Sequence, residues 1–220
     1  MKKYDGIIFD FNGTLYWDTE YHDKAWIEFT RKYVGKKLTK EELDNTIHGL
    51  LNKSILQNLF QRSLNSDEVE KYSGLKEQLY QQFCIEDEKN LKLSPGATEL
   101  FDFLKTKKIP FTIASSANES NIKFYFKTFH LNRWFDFNKI VYDDGHIEGK
   151  PSPQPFFLAA QKLGLTPAEC IVVEDSDLGI QAARNAGTGY IYCISTMKKP
   201  SDMADEVIKS LKYFNRDLLF

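Results

Sequence analysis

The sequence predicts an α/β protein: a Rossmann-like, doubly wound parallel sheet with an α-helical domain inserted after its first strand. Three observations carry that expectation. Five short apolar runs are spread along the chain, and runs that do not alternate read as strands buried on both faces, as in a parallel sheet. Helical periodicity separates most of them, and strand–helix alternation marks a doubly wound fold. From Tyr16 to Lys92 the rhythm stops, and only amphipathic helical segments remain.

Taken in order, Ile7-Ile8-Phe9 is the first strand. The insertion follows, with helices expected over Tyr21–Tyr33, Lys40–Ile47, Ser54–Leu64 and Asp67–Phe83. It is too long to be a connecting loop. The expected division is therefore a core of residues 1–15 and 93–220 with a helical cap of residues 16–92. Pro95-Gly96 opens a core helix whose apolar face is Leu100, Phe101, Phe103 and Leu104. Phe111–Ala114 and Ile140–Tyr142 are the second and third strands, and Phe156–Leu163 is a helix. Ile171–Val173 is the fourth strand, followed at once by a helix over Gly179–Ala186 that Gly187 stops. Tyr190–Ile194 is the fifth strand, and Ser201–Phe220 closes the chain as a strand or helix packed on the core.

Composition narrows the function. Twenty-nine Lys and Arg face 31 Asp and Glu, for a formal net charge of −2. That balance gives no reason to expect nucleic acid or an anionic membrane as a partner. The mostly acidic run Glu86-Asp87-Glu88-Lys89 reads as solvated surface. Cys84, Cys170 and Cys193 are odd in number and form no CxxC, so neither a disulfide framework nor a zinc site is expected. No signal-type apolar region opens the chain and no apolar stretch is long enough to span a bilayer, so a cytoplasmic monomer is expected.

In open α/β sheets, ligands bind beyond the carboxyl ends of the strands. The first run delivers Asp10-Phe11-Asn12-Gly13-Thr14 there, the second Ser115-Ser116-Ala117-Asn118, and the fourth Glu174-Asp175-Ser176-Asp177. Before the fourth, Gly149-Lys150-Pro151-Ser152-Pro153 places a lysine in a stiff loop. These are the parts of a magnesium-assisted phosphoryl transfer. One carboxylate attacks phosphorus, others hold Mg²⁺ through hard oxygen ligands, and a lysine and a hydroxyl orient the phosphoryl oxygens. Asp177 reads as a helix cap rather than a ligand.

With these motifs in this order, the chain resembles the haloacid dehalogenase-like superfamily, and within it the β-phosphoglucomutase-like group with a helical cap. Asp10-Phe11-Asn12-Gly13-Thr14-Leu15 resembles the nucleophile loop, Ser115 the phosphate-binding hydroxyl and Lys150-Pro151-Ser152-Pro153 the lysine motif. Glu174-Asp175-Ser176 with Gly179-Ile180 and Ala186-Gly187 resembles the metal motif. The resemblance implies that Asp10 is the nucleophile and that Ser115 and Lys150 bind the phosphoryl oxygens. It implies that Asp10, the Asn12 carbonyl and Asp175 hold Mg²⁺, with Glu174 in support. Ser116 and Asn118 become substrate neighbours or caps. In the insertion, Glu20-Tyr21-His22 resembles the mutase hinge, His48-Gly49 the substrate-specificity loop, and Lys76 falls where mutases carry a cap lysine. The aromatics Trp17, Tyr21, Trp26 and Phe29 are expected to pack between cap and core.

Two positions depart from the pattern. Family phosphatases and mutases carry an acid/base aspartate where this chain has Asn12, and losing such a group costs roughly 10²- to 10⁴-fold in rate. Three explanations stay open: a natural variant in which His22 or a water handles the proton, a phosphate-binding protein, or an engineered Asp→Asn change. Gln154 stands where relatives have an acidic residue. The preferred function is a magnesium-dependent phosphohydrolase acting on a small phosphorylated metabolite, a sugar phosphate first, through an aspartyl-phosphate. The alternatives are a phosphosugar mutase, an impaired phosphate-binding protein, and a dehalogenase-type hydrolase, against which the intact Glu174-Asp175 pair speaks.

Overall fold

A computed structural model describes residues 3–47, 50–195 and 202–219. It divides into two compact units, one of residues 1–17 with 93–220 and the other of residues 18–92.

The first unit is built on a six-stranded parallel sheet. Its strands are β1 (Gly6–Phe9), β2 (Phe111–Asn118), β3 (Val141–Asp143), β4 (Cys170–Glu174), β5 (Tyr190–Ile194) and β6 (Glu206–Ile208), in the order β3-β2-β1-β4-β5-β6. The five apolar runs are its first five strands, and β1 and β4 are buried at every position. Alternate residues of β1 serve the two faces. Ile8 joins Val172, Phe156, Ala160 and Ile180 in one core cluster. Phe9 packs edge-on to Phe101, within an aromatic group that includes Phe111 and Phe135. The chain runs outward from β1 through β2 and β3, then returns to the other side of β1 with β4. That reversal places a crevice at the carboxyl ends of β1 and its neighbours.

Four α-helices of this unit follow the expected pattern, their ends set by local chemistry. The helix opened by Pro95-Gly96 covers Ala97–Lys107, and the next covers Glu119–Thr128. In the latter, Asn118 Oδ1 accepts the Asn121 N–H at 3.1 Å. The helix Gln154–Leu163 ends at Gly164, whose φ of 76° suits a residue without Cβ. The helix Asp177–Asn185 begins at Ser176, whose Oγ accepts the Gly179 N–H at 3.1 Å. The cap is thus Ser176, and Asp177, expected in that role, is the first helical residue.

The second unit holds α1 (Thr19–Tyr33), α2 (Lys40–Thr46), α3 (Asn52–Phe60) and α4 (Ser66–Glu86). Two begin with reciprocal caps, Thr39 with Glu42 and Asn65 with Glu68. Trp26, Phe29, Leu43, Ile55 and Leu56 form the unit's own core. Trp26 and Phe29, expected between cap and core, therefore pack inside the helical unit. Trp17 is 43% exposed. Tyr21 donates to Asp87 at 2.8 Å, which ties one residue of the acidic run into the unit.

Candidate active site

Asp10 follows β1 directly and is backed by β4, donating its N–H to the Val173 carbonyl at 2.9 Å. The chain then turns sharply, because the Phe11 carbonyl accepts the N–H groups of Thr14, Leu15 and Tyr16. Gly13 makes the turn at a φ of 77°, and a Cβ there would fall 2.1 Å from Asp175 Oδ2. Only glycine meets both conditions.

Lys150 is almost wholly buried, 3% exposed, and its Nζ donates to Asp10 Oδ1 at 2.6 Å and to Glu174 Oε1. Glu174, itself fully buried, also accepts from the N–H groups of Asp175 and Ser176, each at 2.8 Å, and from Ser176 Oγ at 3.0 Å. The carboxylate therefore ties the lysine to the start of the helix after β4. Thr14 Oγ1 donates to Asp175 Oδ1 at 3.2 Å. Gln154 Oε1 accepts the Glu148 N–H at 2.6 Å, bracing the loop that carries Lys150 without an acidic side chain.

Asp10, Glu174 and Asp175 each offer an oxygen within 4.8 Å of the others. Three carboxylates share the site with the single Lys150 ammonium. Burial pushes the Asp175 carboxyl well above its ordinary range, and the charges of Glu174 and Asp10 add to the rise. For Lys150, burial works downward, but the facing Asp10 and Glu174 carboxylates outweigh it and hold the ammonium protonated. An all-oxygen donor set with surplus negative charge fits a hard divalent cation.

The sequence-derived residues fall into three groups. Asp10, Lys150, Glu174 and Asp175 come together, and Asn12 with Ser115 lies beside them: Ser115 Oγ takes the Ala117 N–H at 3.1 Å and donates to Asn12 Oδ1 at a long 3.4 Å. Ser116 lies in β2 and Asn118 caps the next helix, which accounts for the Asn118 side chain locally. His22 belongs to the helical unit, where Lys76 Nζ donates to its Nδ1 at 2.7 Å. Its Nε2 faces Asp18 Oδ2 at 3.5 Å, and its ring stacks on Tyr80. His48 and Gly49 lie outside the described residues.

Sequence reasoning assigned no role to Tyr125, which is fully buried and accepts a hydrogen bond from Asn12 Nδ2 at 2.7 Å. The only signal for it was its place on the apolar face of its helix with Ile122. Nor did it foresee that Lys76 would be buried. Lys76 pairs with Glu77 at 3.1 Å, and Glu77 also accepts from Asn52 at 2.6 Å.

A buried carboxylate–lysine centre at the carboxyl edge of a parallel sheet, assembled from three separate segments, defines a class of α/β enzyme. A model of the haloacid dehalogenase-like hydrolases matches residues 4–187, and the chain belongs to that family. It is similar to a phosphorylated carbohydrates phosphatase of Thermotoga maritima, 30% identical over 189 residues, which cover 86% of this chain and 84% of the relative. Among solved structures it is similar to a family IA, variant 3 hydrolase of Entamoeba histolytica, with a TM-score of 0.86, 31% identity and coverage of 99% and 97% of the two chains. The fold also matches a β-phosphoglucomutase of Clostridium difficile, with a TM-score of 0.78, 22% identity and coverage of 97% and 94%. Among the described residues, no helix is long and apolar enough to cross a membrane.

Proposed function

We propose that the chain is a magnesium-dependent phosphohydrolase of small phosphorylated metabolites, with sugar phosphates first among them, and that it works through an aspartyl-phosphate on Asp10. The observation that carries this reading is the Lys150 ammonium lodged between Asp10 and Glu174, beside Asp175. Lys150 donates to one oxygen of Asp10 and fixes it, which leaves the carboxylate's other oxygen to attack phosphorus. Lys150 and Ser115 then orient the phosphoryl oxygens. Asp10, Asp175 and the Asn12 carbonyl would hold Mg²⁺, with Glu174 in support. When bound, the cation supplies charge neutralisation for the incoming phosphoryl group.

The phosphatase relative supports hydrolysis over mutation of a sugar phosphate, since it matches at higher identity than the mutase, whose likeness is one of fold. The acidic cluster speaks against carbon–halogen hydrolysis, which needs no metal. The helical unit is assigned the choice of substrate, with His22 and Lys76 its chemically distinctive residues. Three free, buried cysteines fit a reducing compartment, and the working unit is taken as a cytoplasmic monomer.

The test is phosphate release from a panel of sugar and other metabolite phosphates, with Mg²⁺ and with chelator, for the native chain and Asp10→Asn. Mg²⁺-dependent release that Asp10→Asn abolishes supports the reading. Release that survives chelator or the loss of Asp10 overturns it.

A further inference from the structure

Both steps of the proposed reaction move a proton. The leaving oxygen must gain one as its bond to phosphorus breaks, and the water that attacks the aspartyl-phosphate must lose one. The structure fixes what stands beside Asp10 for that purpose. The Asn12 amide is anchored by its Nδ2, which donates to Tyr125 Oη at 2.7 Å. Tyr125 is fully buried and its ring stacks on Phe11 with centroids 4.1 Å apart and planes 12° apart, so the anchor cannot swing. On the other side, Asn12 Oδ1 takes the Ser115 hydroxyl. An amide held in this way can orient and hydrogen-bond, but it has no proton to yield and no basic site to take one. Lys150 does not replace it: its ammonium already donates to the Asp10 and Glu174 carboxylates.

Resting on the phosphohydrolase reading, we propose that the chain is matched to phosphoryl groups carried on weakly basic oxygens. Acyl phosphates, enol phosphates and anomeric sugar phosphates belong to this class, and phosphates of primary alcohols do not. In the first step, an Asp10 oxygen bonds to phosphorus while the bond to the leaving oxygen breaks. The electron pair departs on that oxygen, which is protonated by solvent rather than by residue 12. The rate of this step then falls as the leaving oxygen becomes more basic. In the second step, a water oxygen bonds to phosphorus, the bond to Asp10 breaks, and the water's proton passes to the phosphoryl oxygens or to bulk water. A good leaving group offsets the missing acid in the first step and does nothing for the missing base in the second. Each absent proton transfer is worth roughly 10²- to 10⁴-fold. On good leaving groups the second step is therefore limiting, and the phosphorylated enzyme accumulates.

The experiment is a series of aryl phosphates from nitrophenyl to unsubstituted phenyl, with a primary alkyl phosphate at the basic end. It is run with Mg²⁺ on the native chain, Asn12→Asp and Tyr125→Phe, with rapid-quench measurement of the first turnover. The native chain is expected to show kcat/KM falling steeply with leaving-group basicity, and a burst of phenol approaching one per active site. Asn12→Asp should flatten the dependence, gain about 10²- to 10⁴-fold on the alkyl phosphate, and lose the burst. If the native chain is as flat as Asn12→Asp, another group donates the proton and the proposal fails while the phosphohydrolase reading stands. A slope that steepens in Tyr125→Phe would name the phenol as that donor, and the proposal fails in that case too. If neither the native chain nor Asn12→Asp releases phenol, the phosphohydrolase reading falls and takes the proposal with it.

Discussion

Gly179 is the third residue of the helix Asp177–Asn185, and changing it to alanine sets two physical effects against each other. On helix propensity alone, Gly→Ala stabilises an ordinary helical site by about 1 kcal/mol. At this site, however, the new Cβ would lie 1.8 Å from Glu174 Oε1 and 2.0 Å from Glu174 Cδ, where carbon contacts need about 3.5–4.0 Å. Glu174 is fully buried and cannot rotate aside without giving up the N–H groups of Asp175 and Ser176, the Ser176 hydroxyl and Lys150. Hydrogen bonds to a charged group contribute about 1.5–3 kcal/mol each, so losing two costs about 3–6 kcal/mol. After the propensity gain, the net destabilisation is about 2–5 kcal/mol, a sizeable part of the roughly 5–15 kcal/mol that holds a typical protein folded. The control lies in the same chain. Gly74, inside α4, has nothing within 4 Å of where an alanine methyl would sit, so Gly74→Ala should stabilise by the propensity term alone. Urea unfolding followed by circular dichroism measures both variants. A Gly179→Ala protein as stable as Gly74→Ala would refute the claim that the Glu174 carboxylate is locked in place.

Burial lowers the Lys76 ammonium pKa, with Glu77 pulling the other way, so the unfolded chain binds more protons in the window just below the ordinary lysine value of about 10.4. Stability owed to this group therefore rises with pH through that window. The difference between the native chain and Lys76→Met should shift in the native chain's favour as urea unfolding is repeated from about pH 8 towards about 10; a constant difference would refute the assignment. Mg²⁺ at a hundredfold excess over its dissociation constant should stabilise the chain by about 2.7 kcal/mol, and Asp175→Asn should erase most of that gain in a thermal-shift titration. Cys84, Cys170 and Cys193 are all buried, and burial pushes the Cys170 thiol up to about 12. A thiol-titrating disulfide reagent at about pH 8 should find no fast-reacting group until denaturant is added, when it should find three.

The sheet was legible because β1, β4 and β5 are covered on both faces, which demands unbroken apolar runs. β6 was not, since Glu206-Val207-Ile208 is short and only Ile208 is buried. The residues that cluster at the site could be read because each ends a strand or stands in a Gly- and Pro-framed loop. The burial of Lys76 escaped because a lysine in a polar helix carries no mark of it; its partners are His22, brought to it by the fold, and the neighbouring Glu77, which Asn52 in turn braces. Tyr125 escaped for the opposite reason. An aromatic on an apolar helical face reads as core, which it is, and its hydroxyl's meeting with Asn12 depends on a loop 113 residues earlier. The exchange of capping role between Asp177 and Ser176 is a one-residue difference that helix-start preferences cannot resolve.

The pairing of β1 with β4 has a bearing on how the chain comes to exist. Asp10 leans on Val173, and Lys150 meets Asp10 across 140 residues of sequence. During synthesis the helical unit, residues 18–92, is complete long before β4 is made and carries a core of its own. β1 emerges first and waits longest, because both of its neighbours, β2 and β4, come from the far side of that unit. Contacts of such long range are slow to form, and a nascent chain that stops short of Cys170–Glu174 holds Asp10 and Lys150 without the strand that backs one and the carboxylate that steadies the other. The chemistry of this protein is therefore among the last things its folding completes, and a chaperone that shields the exposed edge of β1 would be guarding the future active site.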